Sequence, residues 1–118
     1  MTTTDDTSLD VISSDKVEGS AVYNTAGEKL GSIDDLMIDK RSGEARYAVI
    51  EFGGFLGMGT ERYPVPWRVL KYSKEMGGYV VPLAKAALEN APKYREDSIP
   101  PYNSGYGTRI DTYYRDYY

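Results

Sequence analysis

The chain contains no cysteine and no histidine. That removes disulfide staples, zinc sites of the usual kind, thiol nucleophiles and the commonest general acid–base side chain. A cysteine-free chain fits a reducing cytoplasm, which is the expected location. No apolar run approaches the roughly 20 residues a membrane-spanning helix needs, and the opening MTTTDDTSLD is polar and acidic, unlike a signal or transit peptide. An excess of basic charge is missing too. The net charge of −4 divides into −3 over residues 1–16, 0 over 17–93 and −1 over 94–118. A nucleic-acid binder concentrates Lys and Arg on its folded part, because counterion release supplies most of the affinity; the neutral centre disfavours that partner. Aromatic content is skewed as well. There is one tryptophan and there are two phenylalanines, yet 12 tyrosines, of which seven fall in the last 25 residues.

The length of 118 residues suits one domain. Residues 1–16 lack periodicity and read as a flexible polar leader. A first strand is expected near Val17 to Tyr23, closed by an Asn24–Gly27 turn in which Gly27 supplies positive φ. A second, long strand runs from Glu28 to Lys40. Ile33 falls on one parity while Leu36 and Ile38 fall on the other, so keeping all three inside requires one extra residue. Asp34-Asp35 is the place for a β-bulge, which would bend the strand as a small barrel demands; the alternative turns Ile33 outward. Arg41–Glu44 supplies a hairpin turn with Gly43 at the left-handed position. The third strand, Ala45 to Phe52, is apolar on both parities and is expected to be central.

Four glycines in Gly53–Gly59 preclude a stable helix or a well-packed strand there. A fourth strand follows near Arg62 to Val65, where Pro64 and Pro66 demand an edge, a bulge or a strand end. Trp67–Leu70 suits one helical turn. Further strands are expected at Lys71-Tyr72 and Tyr79–Leu83, on either side of a Met76–Gly78 turn. Ala84–Ala91 is helix-compatible, though Ala84 is a poor cap and Pro92 ends it. From residue 93 the chain becomes a tyrosine-rich tail containing Pro and Gly. The expected fold is mainly β: a small closed or partly open antiparallel barrel of about five to six strands over residues 17–92, with one short C-terminal helix.

Gly27-Glu28-Lys29-Leu30-Gly31-Ser32-Ile33, then Leu36-Met37-Ile38-Asp39 and Ser42-Gly43-Glu44, resemble the PRC-barrel. So do Tyr47-Ala48-Val49-Ile50, the Gly53-Gly54-Phe55-Leu56-Gly57 loop and Val65-Pro66-Trp67. Barrels of this family occur in the H subunit of photosynthetic reaction centres and at the C-terminus of a ribosome-maturation factor. Many bacterial and archaeal members are little more than the barrel. The resemblance covers roughly residues 17–92. Neither the membrane helix of the H subunit nor the N-terminal domain of the maturation factor has a counterpart here, so the standalone bacterial type is the nearest. The resemblance implies a protein-binding or assembly role and brings no catalytic motif.

The candidate sites each have a sharp and a plain reading. Asp34, Asp35 and Asp39 could form a carboxylate cluster for a hard cation or for acid–base work, but their spacing matches no calcium loop and Asp is ordinary at bulges and turns. The glycine-rich loop completes no phosphate-binding pattern. Its Phe55, Leu56 and Met58 either plug the barrel end or form a partner-binding tip. Tyr113, Tyr114, Tyr117 and Tyr118 either dock, on this chain or another, or belong to a disordered tail. Trp67 is expected in the core, so that Trp67→Ala largely unfolds the domain. Gly27, Gly31, Asp34, Asp35, Gly43, Gly54, Gly57, Pro66 and Trp67 are assigned structural roles. No catalytic residue, metal or cofactor is expected. The sequence thus points to a non-enzymatic interaction module, acting as a homodimer or with another protein. The alternatives are a small-molecule-binding or weakly enzymatic barrel, and an accessory factor at the ribosome or a membrane surface.

Overall fold

The computed structural model describes residues 11–52 and 61–118. The glycine-rich loop, with Gly54, Phe55, Leu56, Gly57 and Met58, lies outside the described residues. A short helix, α1 (Ser14–Val17), leads into seven strands: β1 (Ala21–Asn24), β2 (Lys29–Ile38), β3 (Ala45–Phe52), β4 (Glu61–Pro66), β5 (Lys71–Ser73), β6 (Gly78–Val81) and β7 (Tyr94–Arg95). A second helix, α2, spans Ser104–Tyr114. The strands form one sheet in the order β5-β6-β1-β2-β3-β4-β7.

This corrects the expected strand count and pairing. The described residues form seven strands, and among them β1 pairs β6 in parallel while every other pair is antiparallel. Among the described residues the outer strands β5 and β7 do not bond to each other, so hydrogen bonds do not close a ring. The sheet nevertheless curls. Trp67, directly after β4, places its ring 5.5 Å from that of Tyr79 on β6, although β1, β2 and β3 lie between these strands in the sheet. One apolar cluster fills the concavity, with Val22, Ile33, Val65 and Val81 among its fully enclosed members.

The first strand begins at Ala21 rather than Val17. Gly19 adopts φ +89°, which interrupts extended backbone. Val17 ends α1 with its side chain in the core, and Gly19 N–H donates to the Ile33 carbonyl at 2.7 Å. The Asn24–Gly27 turn forms as expected, with Gly27 at φ +87°. The Asn24 side chain holds it by accepting from the N–H groups of Ala26 and Glu28.

The bulge forms where the parity change requires it. Ile33 lies opposite Ile50 and Asp35 opposite Val49, leaving Asp34 as the extra residue. Ile33 is buried and Leu36 half-buried, but Ile38 is 50% exposed. A second irregularity between Met37 and Ile38 turns it outward, so the bulge keeps two of the three residues inside rather than all of them. β3 is central, with Tyr47 to Ile50 all buried. Its ladder to β4 runs through both prolines, opposite Val49 and Tyr47. β7 pairs β4 only at Glu61 and Arg62, so no strand among the described residues needs a donor from Pro64 or Pro66 on the outer side.

Trp67–Val69 forms the expected single turn, of 3₁₀ type. Trp67 is half-buried against the core's edge, not enclosed within it. Ala84–Ala91 gives only a 3₁₀ turn at Lys85–Leu88. No side chain caps it, and a segment this short cannot offset the cost of helix nucleation. The α-helix of the C-terminal region lies instead in the tyrosine tail.

Candidate functional site

α2 is capped by Asn103, which is extended and whose side chain accepts from the Tyr106 N–H at 2.9 Å. This N-cap is of a strongly preferred kind. Tyr106, Ile110, Tyr113, Tyr114 and Tyr117 recur at three- and four-residue spacing, so they share one face of the helix and the turn that follows it. Ile110 and Tyr114 on that face are fully buried, while Tyr106, Tyr113 and Tyr117 are half-buried against the core. The Tyr113 hydroxyl donates to the Ala87 carbonyl. Tyr102, just before the helix, shares a 2.6 Å hydrogen bond with the Tyr94 hydroxyl. Of the two readings of the tail, docking on its own chain is the one observed for residues 94–118.

Each tail tyrosine that the sequence singles out therefore has a distinct environment. Tyr114 is core, Tyr113 is tied to Ala87, Tyr117 packs at the edge, and Tyr118 is the exposed one. The Arg68 guanidinium lies 4.7 Å from the Tyr118 ring centroid, a cation–π contact. Burial raises the Tyr102 and Tyr114 hydroxyls well above the usual tyrosine range, with neighbouring tyrosines adding to the effect. Burial, then the Glu61 carboxylate, pushes Tyr63 up to about 12.

Between the β2–β3 turn, the Trp67–Val69 turn and the helix lies a cavity of about 480 Å³. Trp67, Tyr47 and Tyr118 give it aromatic walls, and Arg46, Arg68, Glu44 and Asp111 are among its charged lining residues. Asp39 at one end accepts from the N–H groups of Arg41 and Ser42, both at 2.9 Å, and pairs with Arg46 at 3.5 Å. Those backbone donors hold the Asp39 carboxyl below its usual range. The Tyr47 hydroxyl is enclosed near Arg46 and Asp111; burial first, then Asp111, raises it. Every shifted group in the wall moves away from neutrality: the carboxyl stays ionised, the phenols stay protonated. The wall can thus bind and orient a planar or charged group, but the shifts poise no proton for transfer at pH 7.

A third feature escaped the sequence reading. Arg62 on β4, 6% exposed, is held by Asp34 at 3.2 Å, Glu51 at 2.6 Å and Glu96 at 3.4 Å. Asp34 is thus a partner of an arginine, and Asp35 accepts from the Leu36 N–H. Among the described residues no group of His, Cys, Asp or Glu has the arrangement of a metal site.

The profile of the PRC-barrel domain matches residues 9–88. The chain belongs to the PRC-barrel domain family. An uncharacterised protein of Deinococcus radiodurans is 28% identical over 79 residues, which cover 67% of this chain and 28% of that protein. The chain thus spans little more than a quarter of that relative's length. The PRC-barrel match ends at residue 88, so α2, and with it Asp111 and Tyr118 of the cavity wall, lies beyond the matched segment. No helix among the described residues is long and apolar enough to cross a membrane.

Signals for part of this site were present in the sequence. The spacing of Tyr106, Ile110, Tyr113, Tyr114 and Tyr117 after Asn103 marks an amphipathic helix. Gly105, Gly107, Thr108 and Thr112, all poor helix formers, obscure it. Arg62 carries no local signal, because its three partners lie on separate segments.

Proposed function

We propose that this PRC-barrel is a non-catalytic protein-binding and assembly module. The observation that carries the reading is the docked tail. The curled sheet holds, over its apolar cluster, an amphipathic helix that lies outside the family match, and so it can accommodate such an element. The shifted titratable groups all move away from the range in which they could exchange protons at neutral pH, which also favours binding over catalysis. The test uses the full chain as bait in its native extract, beside a variant carrying Tyr118→Ala at the exposed end of the tail and Arg68→Ala on the turn that this ring meets. A protein captured in different amounts by the two chains supports the reading, because loosening the tail's end alters access to the face on which the tail docks. Capture of nothing above background, together with a strict monomer by light scattering, refutes it.

A second reading, a small-ligand barrel, rests on the cavity of about 480 Å³, a size within the ordinary range of ligand sites. Trp67, the only tryptophan, lines it. Saturable quenching of Trp67 fluorescence by a compound, abolished by Asp111→Ala, would favour this reading over the first.

A further inference from the structure

The tyrosines of the tail interface use their hydroxyls in two ways. Tyr102 and Tyr113 place theirs on partners, the Tyr94 hydroxyl and the Ala87 carbonyl. Tyr106 and Tyr114, on the docking face of α2, enclose theirs with no hydrogen-bond partner among the described residues. An enclosed hydroxyl without a partner loses its water bonds and gains nothing in return. The same helix carries Gly105, Gly107 and two threonines, and its connection from β7 runs through Pro100-Pro101 with Ile99 exposed. Its apolar stripe fits the sheet while its polar atoms and propensity weaken the fit.

We propose that α2 is an internal pseudo-ligand on a helix-docking face, and that the partner this face takes is an amphipathic helix with phenylalanine where α2 has Tyr106 and Tyr114. The rest of the pattern follows from the contacts. A Cβ at Gly107 would stand 3.0 Å from the Tyr47 hydroxyl, so the next position must be small. An aliphatic residue occupies the place of Ile110. Tyrosine remains at the place of Tyr113, where the Ala87 carbonyl receives its hydroxyl. The partner displaces α2 by competing for one surface, so the helix sets a threshold of affinity that a partner must exceed. This inference rests on the binding-module reading and specifies its partner.

The test keeps the full chain throughout. The probe is a fluorescein-labelled peptide of residues 103–118 carrying Tyr106→Phe and Tyr114→Phe, read by anisotropy against the wild-type chain and against a full chain with the same two substitutions. The wild-type chain should bind the probe, and the substituted chain should bind it at least tenfold more weakly, because its own helix competes better. Amide exchange in α2 should speed up in the wild-type chain as the probe saturates it, and should be slower in the substituted chain without probe. Absence of binding at millimolar probe, equal binding by both chains, or faster exchange in the substituted chain overturns the proposal. A wild-type dimer that the probe dissolves gives the face to a second copy and equally overturns it. A chain that rejects the probe but still captures a protein in the bait experiment loses this inference alone.

Discussion

Arg62 Nε stands 3.2 Å from the Asp34 carboxylate, so the bulged residue of β2 is fastened to β4 across the intervening strand β3. The same guanidinium takes Glu51 of β3 and Glu96 beyond β7. One buried cation thereby joins the bulge, the central ladder and the start of the connection to α2. Its three partners are each at least 37% exposed and can return to water, whereas the guanidinium itself is enclosed.

The consequence is an asymmetry between the two sides of this cluster. Arg62→Ala should destabilise the domain by about 1–3 kcal/mol, through lost packing and lost charge-assisted bonds. Asp34→Asn should cost less than about 1 kcal/mol, because Glu51 and Glu96 still hold the arginine. Urea denaturation of both variants checks the order; equal losses would contradict it.

Two glycines separate close approach from backbone conformation. A Cβ on Gly31 would stand 2.2 Å from the Glu51 carbonyl oxygen of the neighbouring strand. Gly27 has open space around it but φ +87°. Gly31→Ala should cost about 1–3 kcal/mol or more by forcing β2 from β3, and Gly27→Ala about 1–2 kcal/mol through the left-handed backbone alone. Cross-strand amide protection around Glu51 should fall in the first variant and persist in the second.

The buried tyrosines set the alkaline limit of stability. Folding raises the Tyr63 hydroxyl to about 12 from an ordinary value of 10.0, and raises Tyr102 and Tyr114 in the same direction. Above pH 10 the unfolded chain releases these protons while the folded chain retains them, so the folded state binds more protons and stability falls with rising pH. Tm should be insensitive to these groups below pH 10 and should fall above it. Tyrosinate absorbance should rise in two stages, exposed rings first and the buried ones with unfolding. A Tm flat to pH 12 would contradict the burial.

Trp67 calls for a smaller effect than its sequence context suggests. Pro66 and Pro64 beside it point to an enclosed ring, but the structure leaves it half-buried, with Tyr79 on one side and the cavity on another. Trp67→Ala should cost toward the lower part of the roughly 3–5 kcal/mol typical of buried Trp truncation. The variant should remain folded by circular dichroism with a lowered Tm, where largely unfolded protein would restore the enclosed-core reading.

What the sequence made legible was local. Gly27 and Gly43 mark their turns, with φ +87° and +80°, because no other residue adopts that backbone cheaply. The apolar run of Ala45–Phe52 marks β3, and the parity conflict between Ile33 and Leu36 marks the bulge. What stayed hidden was non-local. The parallel pairing of β1 with β6 depends on a hairpin folding back from a distant part of the chain, and nothing at Val22 or Tyr79 announces it. Ala84–Ala91 has better helix formers than residues 104–114, yet the tail forms the α-helix. Burial of Ile110 and Tyr114 on the sheet outweighs the low propensity of Gly107, Thr108 and Thr112.

The docked helix is the centre of this account, and amide hydrogen exchange of the full chain tests it most directly. The amides of Gly107 to Tyr114 should be protected well above unfolded-chain rates, yet less than those of Tyr47 to Ile50 in β3, as a displaceable element on a stable sheet requires. Exchange of the helix at unfolded-chain rates, with β3 still protected, would show that the tail does not dock and would contradict the account.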